Sequence, residues 1–129
     1  IMTYVDGFVL PVPEGKIDAY RQMAESAGKI WMEHGALQYK ECVLEDAKPE
    51  MLEDAPETCK ITPFGSLAGT KDGETVIFAF IVYKSREHRD EVNKKVMADP
   101  RMQEACDENN MPFDPSRMAY GGFKALVDL

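Results

Sequence analysis

Glu74-Thr75-Val76-Ile77-Phe78-Ala79-Phe80-Ile81-Val82-Tyr83 is the stretch on which the fold turns. Its β-branched and aromatic residues favour an extended backbone. The run is far shorter than the roughly 20 apolar residues a membrane helix needs. It also does not alternate. Val76, Phe78, Phe80 and Val82 make one apolar set, and Ile77, Ala79, Ile81 and Tyr83 make the other. A strand here is therefore expected at the centre of a sheet with both faces buried. Tyr4–Val12 is a second strand of this kind, closed by Pro11-Val12-Pro13.

Between the two runs, Glu14–His34 places Ile17, Tyr20, Ala24, Ala27, Ile30, Trp31 and His34 at steps of three and four. That spacing predicts an amphipathic helix of about five turns, with Gly35 as its left-handed stop. Trp31 and the stripe Ile17, Tyr20 and Ile30 are expected to pack between helix and sheet. Ala36–Glu45 reads as a strand near a sheet edge. Residues 46–73, with three prolines and two glycines before the turn pair Asp72-Gly73, read as a long irregular insertion with a helical turn near Pro49–Asp54. Ser85 caps a second helix that runs to about Ala98, with His88, Val92 and Val96 on one face. Asp99-Pro100 opens a short helix over Arg101–Asn109. Met118–Leu129 is a last strand, and Gly121-Gly122 within it predicts a bulge or close approach by another backbone.

The order is strand, helix, strand, strand, helix, strand. This predicts an α+β fold with an antiparallel sheet in the ferredoxin-like β-α-β-β-α-β arrangement, its first and third strands central. Helices cover only one face of such a sheet. The second apolar face of Glu74–Tyr83 then needs another cover, and a second copy of the chain is the simplest. A two-fold homodimer with facing sheets is expected.

The chain has 129 residues and a mass of 14.5 kDa, which predicts one domain over 1–129. With 15 Lys and Arg against 23 Asp and Glu, the net charge is −8, which disfavours nucleic acid and anionic lipid as partners. Acids concentrate in Glu45–Thr58, where Glu45, Asp46, Glu50, Glu53, Asp54 and Glu57 face Lys48 alone. The segment reads as a solvated loop, or as a contact for a basic partner. Cys42, Cys59 and Cys106 are odd in number and lack C-x-x-C spacing, so reduced thiols in a cytoplasm are expected, not a disulfide framework or zinc site. Ile1 reads as an addition before a start at Met2, and no basic or apolar leader follows.

Several strings resemble a known family. They are Tyr4-Val5-Asp6-Gly7-Phe8-Val9 with Pro11-Val12-Pro13, His34-Gly35-Ala36-Leu37, Glu41-Cys42, and Tyr83-Lys84-Ser85-Arg86 leading to Arg89-Asp90. Val96-Met97-Ala98-Asp99-Pro100-Arg101-Met102, Met111-Pro112-Phe113-Asp114, Arg117-Met118 and Tyr120-Gly121-Gly122-Phe123 complete the set. Together they resemble the bacterial YbaA-like family, a domain of unknown function. The resemblance implies the dimeric α/β-barrel superfamily, which also holds antibiotic-biosynthesis-type monooxygenases. It suggests a small apolar or aromatic ligand, bound or transformed without a cofactor.

The candidate site residues are Asp6, His34, Glu41, Tyr120 and Lys124. Asp6 is a carboxylate inside an apolar strand and must find a donor or neutralise. Lys124, Arg86 and Arg89 are its possible partners, and an acid or base in a pocket is its alternative role. His34 ends the first helix, where the dipole favours imidazolium, as a cap or as a ligand-binding group. Glu41 and Cys42 point to opposite faces and cannot act as a pair. Cys42 is expected to be a small packed residue and His88 a packed histidine. Arg86, Arg89, Lys94, Lys95 and Arg101 read as a solvated basic face among acids. The two histidines lack metal-site spacing, and no Gly-rich phosphate loop or G-x-S-x-G elbow is present, so no metal or cofactor is expected. The rival reading is a non-enzymatic binding or protein-interaction module.

Overall fold

The uniformly apolar runs became the two longest strands. The computed structural model of the chain describes residues 2–48, 50–57 and 60–129. Strand β1 spans Tyr4–Pro13 and a 3-10 turn, Glu14–Lys16, leads into helix α1, Ile17–Glu33. Strand β2 is Gln38–Val43, followed by short helices α2, Glu50–Glu53, and α3, Phe64–Ala68. Strand β3 is Glu74–Tyr83, helix α4 is Arg86–Ala98, helix α5 is Arg101–Ala105, and strand β4 is Ala119–Lys124. The four strands form one antiparallel sheet in the order β2-β3-β1-β4, so the fold is α+β. Among the described residues no helix is long and apolar enough to cross a membrane.

The register sorts the side chains. Asp6, Phe8 and Leu10 lie opposite Ile81, Ala79 and Ile77, and this set faces the helices. Two buried clusters fill that side. Leu10, Val12, Tyr20, Ala24, Ile77 and Ala79 form one, and Ile30, Ala36, Ile81, Tyr83, Val92 and Val96 the other, with Phe8 packed against both. The opposite face carries Val5, Val9, Phe78, Phe80, Val82 and Phe123. Within one chain it is only partly covered. Phe78 stays 43% exposed and Phe123 61% exposed, although the Phe64 ring of α3 meets Phe78 edge-on at 6.2 Å. Cys42 lies exposed on this face, so it is not packed within the chain as expected. Cys59 lies outside the described residues.

Helix α1 ends as its sequence signals. Gly35 takes φ +114°, its N–H donates to Met32 O, and Ala36 N–H reaches back to Trp31 O. These two bonds satisfy carbonyls the helix would otherwise leave open. Other boundaries moved for physical reasons. The short helix stops at Ala105 instead of Asn109, because Asp107 turns its side chain onto Asn109 N–H and starts a separate 3-10 turn. Strand β4 stops at Lys124 because its partner β1 begins at Tyr4, opposite that residue. Helix α3 lies in the insertion read as irregular, between Pro63 and a left-handed Gly69. Gly121-Gly122 makes no bulge, since the ladder runs unbroken. A Cβ on Gly122 would strike the Tyr4 ring, so the glycine admits a side chain and not a backbone.

Candidate functional site

The two core clusters leave a cavity of about 440 Å³ between sheet and helices. Its sheet side is Phe8, Leu10, Ala79 and Ile81. Helix α1 contributes Tyr20, Met23, Ala24, Ala27 and Trp31, helices α4 and α5 contribute Met97 and Met102, and Cys106 follows the end of α5. The connector before β4 borders it with Met111, Phe113 and Met118, and the cavity stays open to solvent on one side. Methionine fits irregular apolar shapes and makes soft contacts to aromatic rings, which suits a ligand surface. The volume falls in the range of about 300–1,000 Å³ that small-molecule sites occupy.

Among the described residues one charged side chain lines this cavity, Glu41. Strand alternation turns Tyr39, Glu41 and Val43 toward the helices, and α1 crosses above them. The Tyr20 hydroxyl donates to Glu41 Oε1 at 2.7 Å, and the Tyr39 hydroxyl donates to Glu41 Oε2 at 2.6 Å. Burial, and then the neighbouring Glu41 charge, push both phenols far above the usual tyrosine range. They remain protonated donors at any physiological pH. Burial also raises the Cys106 thiol, which keeps it neutral and a poor nucleophile.

Asp6 and Tyr120 come together in a second cluster, beneath α4. Asp6 is 1% exposed. Arg89 Nη1 donates to Asp6 Oδ1 at 3.1 Å and to the Tyr120 hydroxyl at 2.7 Å, and the Tyr120 hydroxyl donates to the same Asp6 oxygen at 3.2 Å. The guanidinium also lies over the Tyr4 ring, 4.9 Å from its centre. Burial raises the Asp6 carboxyl above its ordinary range, and Arg89, Tyr120, Tyr83 and Asn93 offset part of that rise. Arg89 is therefore an interior ion-pair partner, not a member of a solvated basic face. Asn93 Oδ1 accepts from Trp31 Nε1 and from the Tyr83 hydroxyl, each at 3.2 Å. This fixes the indole that lines the cavity.

The remaining candidates stand apart. His34 Nε2 lies 2.8 Å from Asp99 Oδ2 at the junction of α1 with α4 and α5. Arg101, and then His34, hold the Asp99 carboxyl well below the usual range. This is a clamp between helix ends, and His34 does not line the cavity. Lys124 lies at the outer end of β4, near Tyr4 and the start of α4. His88 packs edge-on against Tyr83, and its Nδ1 accepts from Lys84 N–H. Among the described residues no three His, Cys, Asp or Glu side chains converge as metal ligands. The helical spacing alone marks Tyr20 as core. The polar end of a tyrosine on an apolar helix stripe was its available signal, because a buried hydroxyl needs a partner.

The family described as “Protein of unknown function (DUF1428)” matches residues 3–115. The chain is 44% identical over 127 residues to the “Uncharacterized protein YbaA” of Escherichia coli, covering 98% of this chain and 99% of that protein. The protein of the same name in Shigella flexneri matches at the same identity and coverage.

Proposed function

The chain belongs to the DUF1428 family of proteins of unknown function, and we propose that this member binds a small apolar or aromatic molecule in the cavity between its sheet and its helices. The observation that carries the reading is the lining: methionines and aromatic rings around a single carboxylate held by two phenols. Such sites join a large apolar surface to a few placed polar groups. A turnover step in this cavity, of the cofactor-independent oxygenase kind, would use Glu41 as proton acceptor, since the phenols stay protonated. The strand order β2-β3-β1-β4 is read here as the ferredoxin-like arrangement. The apolar far face of the sheet, uncovered within one chain, is read as the contact with a second copy in a two-fold dimer.

The test of the cavity is a titration with the neutral fluorescent dye N-phenylnaphthylamine. We expect saturable binding of one dye per chain. Ala24→Leu adds apolar volume to the cavity wall from a good helix former. It should abolish dye binding, and a circular dichroism spectrum that matches the parent protein checks that the variant, which also enlarges a buried core position, still folds. Dye binding that survives Ala24→Leu, or that never saturates, overturns the assignment.

A further inference from the structure

Among the described residues the Glu41 carboxylate has no cationic partner. None of the ion pairs among the described residues includes it. Arg21 shares a shallow cleft between α1 and β2 with Glu41 but makes no ion pair with it; its exposed guanidinium lies 2.7 Å from Asp18. Lys40 follows Tyr39 on β2 and so points to the other face. The two donors that Glu41 does have are phenols, and each phenol carries one hydrogen, already given to the carboxylate. What this cluster offers an incoming molecule is acceptors: the second lone pairs of both carboxylate oxygens and of both phenol oxygens. The other polar groups on the lining are the Trp31 indole N–H, already given to Asn93, the Gln103 amide, on an exposed residue, and the neutral Cys106 thiol.

The surroundings favour positive charge as well. The rings of Tyr20, Tyr39, Trp31, Phe8 and Phe113 line the same cavity, and ring faces attract ammonium groups. A carboxylate set among apolar side chains gains most from a partner of opposite charge. The net charge of −8 enriches cations around the molecule and repels anions. We propose that the ligand class of this cavity is a hydrophobic organic cation. It would be an aryl or alkyl amine whose ammonium sits on Glu41 between the two phenols and whose apolar body fills the methionine-lined interior. The inference rests on the cavity reading and narrows it, because an apolar carboxylic acid would meet only acceptors at this end.

Three probes that share one ring system test it: naphthylmethylamine, naphthylmethanol and naphthylacetic acid, each titrated calorimetrically into the full chain at neutral pH. The amine is expected to bind about tenfold or more tighter than the alcohol, the scale of a hydrogen bond to a charged group. The acid is expected to bind weakest. In Glu41→Gln the amine should fall to the affinity of the alcohol, while the alcohol stays within about twofold. The rank order on the unaltered chain decides the matter even if that variant does not fold. Binding of the neutral dye with no preference for the amine overturns the cation inference alone. Binding of neither dye nor probes overturns the cavity reading with it.

Discussion

Asp6 carries its charge 1% exposed because Arg89 stands 3.1 Å away. Without Asp6, Arg89 keeps among the described residues only the exposed Asp90 carboxylate, 2.9 Å away, and losing the buried partner of such a pair costs about 3–5 kcal/mol. Asp6→Asn should therefore lower stability by about that amount, read as a shift in the urea midpoint at constant slope. Asp6→Leu combined with Arg89→Met should recover most of the loss. A single variant that costs under about 1 kcal/mol would show that water relieves the pair. Gly28 offers a second test. It is buried in the middle of α1, where glycine costs about 1 kcal/mol relative to alanine. A Cβ there would come within 2.7 Å of the Tyr39 ring, whose hydroxyl holds Glu41. Gly28→Ala is expected to destabilise the chain as it stands, but to stabilise it by about 1 kcal/mol when Tyr39→Ala has cleared the space. A double-mutant cycle that finds no coupling would remove Gly28 from the support of the site. Both positions show where sequence reading stops. A carboxylate in an apolar strand announces Asp6, but its partner lies 83 residues away, and local pattern could only name Arg89 beside Arg86 and Lys124. The crossing of α1 over β2 that delivers Tyr20 to Glu41 has no local signal at all.

The long elements were legible because burial imposes a period on them. Helices α1 and α4 follow the spacing of their apolar residues, strands β1 and β3 follow the extent of their apolar runs, and Ser85 does cap α4 by accepting from His88 N–H. The short elements were not, because caps and long-range ties decide them. Arg117 is the clearest tie. From the 3-10 turn Pro115–Arg117 it donates to both Glu74 carboxylate oxygens, at 2.6 and 2.9 Å, and to Gly69 O at 2.8 Å. It thus joins the connector before β4 to the start of β3 and the end of α3. The bond to Arg117, with that from Lys71 N–H, lowers the Glu74 pKa from 4.5 to about 2. A carboxyl whose pKa is depressed by folding contributes stability above its unfolded value and loses it as pH falls through the folded one. The melting temperature should accordingly decline between about pH 4.5 and 2, and Glu74→Gln should flatten that part of the profile. Asp6, with its raised pKa, acts in the opposite direction on acidification. The difference between the two proteins isolates Glu74, and parallel profiles would show that this tie contributes nothing.

For the whole molecule the decisive quantity is the face of the sheet away from the helices. The helix-side core is legible from the pattern of β3 alone, since Ile77, Ala79, Ile81 and Tyr83 all become buried. The second set is buried only at Val76; Phe78 is 43% exposed and Phe80 and Val82 are half-buried, because among the described residues the short helix α3 covers only part of that face. A soluble monomer rarely leaves such a face open, and antiparallel sheets that are solvated on one side alternate, which β3 does not. The proposed dimer makes two linked predictions. Native mass spectrometry should find twice the 14.5 kDa of the chain. Phe123→Glu should then return it to a single chain, since a charge buried in an apolar contact is left without water or a partner. Phe123 is 61% exposed within one chain, so the substitution should cost the isolated fold less than about 0.5 kcal/mol. That difference separates an interface from a core, because a core residue would lose stability at every concentration, whereas an interface residue should lose only the concentration-dependent part. A monomer at high concentration, with a melting temperature that does not move on dilution, would mean that the far face works uncovered. The doubly apolar β3 would then need another explanation.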